Sequence, residues 1–116
     1  MTEKENLPFI KHMLDSIEAI EEFRSGLSRE ELASNRLKQS AIVREIEIIG
    51  EAAKNLSNEF KNMHKEIPWK EIIGTRDKMI HNYFGVNLDI VWDIIKIDLL
   101  DLKKKLEKIK NNNSIR

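Results

Sequence analysis

Three residues in the C-terminal half have side-chain types that could act on a phosphate. They are Arg76, His81 and Tyr83, within the run Arg76-Asp77-Lys78-Met79-Ile80-His81-Asn82-Tyr83. A guanidinium fork matches two phosphate oxygens and keeps its charge at any physiological pH. An imidazole takes up or releases a proton near neutrality. Arginine plus histidine suffices for one well-defined reaction, cleavage of RNA through its own 2′-hydroxyl. The imidazole removes the hydroxyl proton, and the guanidinium stabilises charge on the five-coordinate phosphorus. The nucleophile belongs to the substrate, so neither a metal nor a reactive serine is needed. No HExxH, carboxylate cage, glycine-rich phosphate loop or GxSxG occurs in the chain, and no cofactor is implied.

Helical spacing sets conditions on these residues. On a wheel of 100° per residue with Arg76 at zero, Trp69 falls at about 20°, Ile72 at about −40°, Ile73 at about 60° and Ile80 at about 40°. Arg76 therefore stands in the middle of an apolar stripe, where an isolated guanidinium would be costly. Two readings follow. Arg76 pairs with Glu45, which lies on the apolar side of the preceding long helix and would fix helix register, or it lines a cleft and holds an anion. His81 falls about 140° from Arg76, beside Asp77 one turn earlier. The two meet only if the helix ends near Ile80 or if a second subunit brings its own copy across. A histidine beside an aspartate is also a common surface pair. His12 and His64 have no constellation around them and read as surface residues.

The elements that must position these residues are helical. Asn6 is expected to cap a first helix with Pro8 in its first turn, and Ile10, Met13, Leu14, Ile17 and Ile20 form its buried stripe. Ser28 and Glu31 have the spacing of a capping box. A second long helix spans about 36–56, with Ile42, Ile46, Ile49, Ala53 and Leu56 on one face and the small Gly50, Ala52 and Ala53 admitting a close neighbour. Residues 57–66 read as a polar connection. Pro68 starts a third helix, and Gly85 with Asn87 separates it from the last. The last helix reads as the most regular segment, with Leu88, Val91, Trp92, Ile95, Leu99, Leu102, Leu106 and Ile109 in one stripe. Ile90, Ile94 and Ile97 lie round from that stripe and widen its apolar surface. Residues 111–116 read as a frayed tail. The expected architecture is a single all-α domain over 1–116, an up-and-down bundle of four to five helices.

Composition narrows the class further. The 116 residues include 4 Gly, 2 Pro and 6% aromatics, too little turn chemistry for a many-stranded β fold. Twenty basic and 20 acidic residues give zero net charge, so bulk basicity offers no argument for nucleic-acid binding. The balance is uneven along the chain: residues 1–35 hold 4 basic and 8 acidic residues, whereas 96–116 hold 7 and 3. The absence of cysteine excludes disulfides and thiol chemistry and fits a reducing cytoplasm. No signal peptide is visible, and no apolar run is long enough to span a membrane.

Three segments together resemble a known family. Glu47-Ile48-Ile49-Gly50-Glu51-Ala52-Ala53-Lys54-Asn55-Leu56-Ser57 is similar to its "IIGEAAK.LS" helix, and Ile67-Pro68-Trp69-Lys70-Glu71-Ile72-Ile73 to its "IPW..I" segment. Residues 76–83 form an intact Rx4HxY motif. In this order they resemble the HepT-like branch of the HEPN superfamily. The resemblance implies a helical bundle that forms a twofold homodimer, with Arg76 and His81 in a cleft near the dimer interface acting in metal-independent cleavage of RNA. Ile90, Ile94 and Ile97 are the expected added contact surface. In toxin–antitoxin members a minimal nucleotidyltransferase (MNT) antitoxin silences the toxin by AMPylation of the motif tyrosine, here Tyr83. Asp77 is then expected to orient His81. The competing expectation is a non-catalytic helical partner of a nucleotidyltransferase, which the zero net charge favours. A purely structural dimer with an Arg76–Glu45 core pair is the third.

Overall fold

The computed structural model describes residues 3–81 and 88–114, with the side chains of 4–75, 88–96 and 98–112. Among the described residues the chain is all helix: α1 (Glu3–Arg24), α2 (Arg29–Ala33), α3 (Arg36–Asn55), α4 (Asn58–Met63), α5 (Trp69–His81), α6 (Leu88–Asp93), a π turn (Ile94–Asp98) and α7 (Leu99–Ser114). α3 packs along both α1 and α5, and α7 packs on α1. The expected all-α class holds. Two short helices and a wide turn interrupt the simple bundle read from the sequence.

The apolar stripes become the core as their spacing requires. Ile10, Met13, Ile17, Ile20 and Ile42 are fully buried, joined by Ile46, Ile49, Ala53, Leu106 and Ile109. Ser28 and Glu31 close the expected capping box at α2. At the end of α1, Gly26 takes φ +75°, the left-handed conformation that lets a chain leave a helix without a Cβ clash.

Four local expectations are corrected. Asn6 does not cap α1 but lies inside it, completely buried. Its Oδ1 accepts a hydrogen bond from the Ser57 N–H at 2.9 Å, and its Nδ2 donates to Ser57 Oγ at 3.2 Å. The amide is used for a tertiary contact rather than a cap. The connection 57–66 contains α4, started by Ser57, whose Oγ accepts from Phe60 N at 3.2 Å, and held by the buried Phe60.

The last helix is also less regular than expected. Val91, Ile95 and Leu99 are all buried at successive four-residue steps. Each such step overshoots a regular α-helical turn by about 40°. The wide turn at Ile94–Asp98, closed by the Leu99 N–H on the Ile94 carbonyl, takes up the excess and keeps the stripe on the core. Finally, α7 runs to Ser114, so residues 111–114 continue the helix instead of fraying from it.

Candidate active site

The approach to the Rx4HxY run is built from aromatic packing. Phe60 on α4, Ile67 and Trp69 are buried together, with the Phe60 and Trp69 ring centroids 6.3 Å apart. Trp69 Nε1 donates to the His64 carbonyl at 3.0 Å, and the Ile72 N–H bonds to the Pro68 carbonyl at 3.1 Å, opening α5. His64 is therefore not the plain surface residue expected. Its ring stacks on Phe60 at 4.6 Å, with Nδ1 3.6 Å from Glu66 Oε1. His12 is exposed, as expected. The first turn of α5 is thus fixed by the core, and the helix carries that register to His81.

α5 is helical through His81, one residue beyond Ile80, where its described part ends. Regular register then keeps positions 76 and 81 about 140° apart, so one protomer's helix does not bring the two positions together. The side chains of Arg76, Asp77 and His81 lie outside the described residues, as does Tyr83 altogether. Glu45 is half-buried on α3, the helix that packs along α5. Of the isoleucines expected to add a contact face, Ile90 is exposed and Ile94 packs partly on the core, while the Ile97 side chain lies outside the described residues.

The two flanks of α5 differ in charge. Between α5, α3 and the π turn is a cleft of about 290 Å³ whose floor is Ile46, Ile49, Ile72, Leu99 and Leu102. Its polar lining is Glu71, Thr75, Asp98 and Asp101. Desolvation against this wall, then the charges of Asp93, Glu71 and Asp101, hold the Asp98 carboxyl above its ordinary pKa. No group of His, Cys, Asp or Glu among the described residues is arranged to hold a metal ion. On the other flank, between α4 and the start of α5, is a shallower groove of about 700 Å³. Lys61, Lys65 and Lys70 line it with Asn58 and Asn62, over a floor of Ile67, Trp69 and Ile73. Register puts position 76 in line with Ile72 and Ile73, between the flanks, and positions 77 and 81 on the side of Lys70.

The Ribonuclease HepT-like family model matches residues 13–109, which include both flanks and all of α5. The chain belongs to the HepT-like ribonucleases. A protein of Thermococcus cleftensis named as a probable ribonuclease HepT is 43% identical over 102 residues, covering 88% of this chain and 93% of that one. A protein of Caldanaerobacter subterraneus subsp. tengcongensis, named as a candidate RNase, is 44% identical over 102 residues, covering 88% and 91%. No solved structure matches the chain significantly.

In this HepT-like chain the motif is contiguous in sequence, whereas the two flanks are assembled from separate elements. The lysines sit on α4, the interhelical turn and α5, and the carboxylates on α5, the π turn and α7. Their grouping is a product of packing. The one available signal was the spacing of Lys61, Lys65 and Lys70 beside a hidden helix start at Ser57. No described helix is long and apolar enough to cross a membrane.

Proposed function

We infer that this HepT-like ribonuclease cuts RNA by attack of a 2′-hydroxyl on the adjacent phosphodiester. His81 accepts the 2′-hydroxyl proton, the new P–O2′ bond forms as the P–O5′ bond breaks, and a proton is returned to the departing O5′. The products are a 2′,3′-cyclic phosphate and a free 5′-hydroxyl. Arg76 holds the non-bridging oxygens, and Asp77 orients the His81 ring and raises its basicity.

The observation that carries this reading is the placement of the whole Arg76–His81 spacing on one continuous helix whose start is locked by Phe60 and Trp69. Because the two positions diverge on that helix, the reaction site is assembled in a twofold homodimer, where each groove receives residues from both copies. The chain acts as the toxin of a cytoplasmic toxin–antitoxin pair. An MNT-type nucleotidyltransferase adds AMP to Tyr83, and the added phosphate competes with RNA for Arg76.

The test is cleavage of a labelled single-stranded RNA in the presence of EDTA. His81→Ala and Arg76→Ala are each expected to lose at least about 100-fold in rate with unchanged helicity, the range for losing an acid–base group or a charge-stabilising donor. Full activity in either variant overturns the assignment. An inert wild type that forms a stable complex with a nucleotidyltransferase leaves the non-catalytic partner reading instead.

A further inference from the structure

We propose that the lysine-lined groove between α4 and the start of α5 is the track along which the phosphate backbone of single-stranded RNA reaches the His81 flank of α5. This rests on the ribonuclease reading and deepens it by naming the side of entry. The chain as a whole has no net charge, so a local cluster of one sign needs its own reason. Lys61, Lys65 and Lys70 make no ion pair among the described residues. Lys103 and Lys105 are held by carboxylates, Glu21 and Asp101, each at 2.9 Å; what sets the groove apart is that three lysines line one concave surface. Three unpaired ammonium groups around one groove repel each other until an anion is supplied.

Asn58 and Asn62, exposed on the same rim, add hydrogen-bonding amides of the kind that read sugar and phosphate oxygens. Among the described residues the one carboxylate in the lining is Glu71, at the border with the acidic cleft. That cleft, carrying Asp98 and Asp101, repels phosphate on the opposite flank.

Helix register connects the groove to the chemistry. Lys70, Asp77 and His81 occupy one row of α5, and His81 lies about 16 Å along the axis from Lys70 at 1.5 Å per residue. Gly74 falls in that same row. A Cβ built there meets nothing within 4 Å. Among the described residues no packing calls for a glycine in mid-helix, where it is less stable than alanine. The open space at Gly74 leaves room for a ligand to pass close to the backbone.

The experiment measures binding of a fluorescein-labelled 2′-O-methyl single-stranded RNA, which cannot be cut, across a salt series, and cleavage of the matching RNA. K61Q/K65Q/K70Q is expected to weaken binding at least tenfold and to flatten the log Kd against log salt slope by about 2, since each phosphate contact on a single strand contributes about 0.7. KM rises and the rate at saturation holds. K54Q/K104Q/K108Q removes the same charge from three exposed lysines outside the groove and leaves binding unchanged. Gly74→Leu raises KM without lowering Tm. An active wild type with a K61Q/K65Q/K70Q variant that keeps its salt slope, or equal losses in the two lysine variants, overturns the track alone. A wild type that neither binds nor cuts RNA overturns both this proposal and the ribonuclease mechanism.

Discussion

The two flanks of α5 share a helix and little else. One is an apolar cleft edged by Glu71, Asp98 and Asp101, and the other a shallow groove edged by Lys61, Lys65 and Lys70. A neutral molecule thereby holds opposite potentials on two sides of the helix that carries its Rx4HxY motif. Net charge cancels over the whole chain, but a polyanion approaching within a Debye length of about 8 Å responds to the local surface. The lesson is that a balanced composition says nothing about how charge is partitioned. Residues 36–95 hold 9 basic and 9 acidic residues and still supply all three groove lysines and one carboxylate of the cleft.

The difference between the flanks depends most on the shape of the basic side. Phe60→Ala empties the aromatic anchor between α4 and α5 and is expected to destabilise the fold by about 3–5 kcal/mol, as for large core truncations. Urea unfolding measures it. A cost below about 1 kcal/mol would mean that the groove does not depend on this anchor.

The acidic side is sharpened by a milder change. Because Asp98 holds its proton in the folded state at pH values where the unfolded chain has released it, stability falls as pH rises through that interval. Asp98→Asn is therefore expected to raise Tm at pH 7, with the gain fading as pH falls toward about 4, where the unfolded carboxyl is itself protonated. The gain is small, because the side chain remains largely in water. RNA binding by this variant stays at the wild-type level or tightens, since the cleft only repels. Weaker binding would place the RNA on the wrong flank here.

Much of the fold was legible. Stripes such as Ile10–Ile20 and Ile42–Leu56 describe burial directly, because a helix has one period and the core lies on one side. The capping box at Ser28 was legible for the same local reason. Asn6 was misread because a cap and a long-range amide contact use the same residue type, and only the fold brings Ser57 within reach. α4 escaped notice because six residues with one apolar anchor show no period. The consecutive four-residue steps at Val91, Ile95 and Leu99 drift by about 80° on a regular helix, which a broad apolar stripe also tolerates, so the wide turn shows only in the fold. For the site, the motif was plain and the charge partition was not, since Asp98 and Asp101 join Glu71 only across two helices.

The Asn6–Ser57 contact has a consequence for how the molecule opens. The two residues are 51 positions apart, and the amide has no water when the contact is made. Neither the start of α1 nor the entry to α4 can fray alone without stranding a buried polar group, so both belong to one cooperative unit. The Ser57 amide proton, in a short linker where exchange with deuterium is ordinarily fast, is expected to exchange as slowly as the middle of α3. Rapid exchange there would show that the two ends breathe separately.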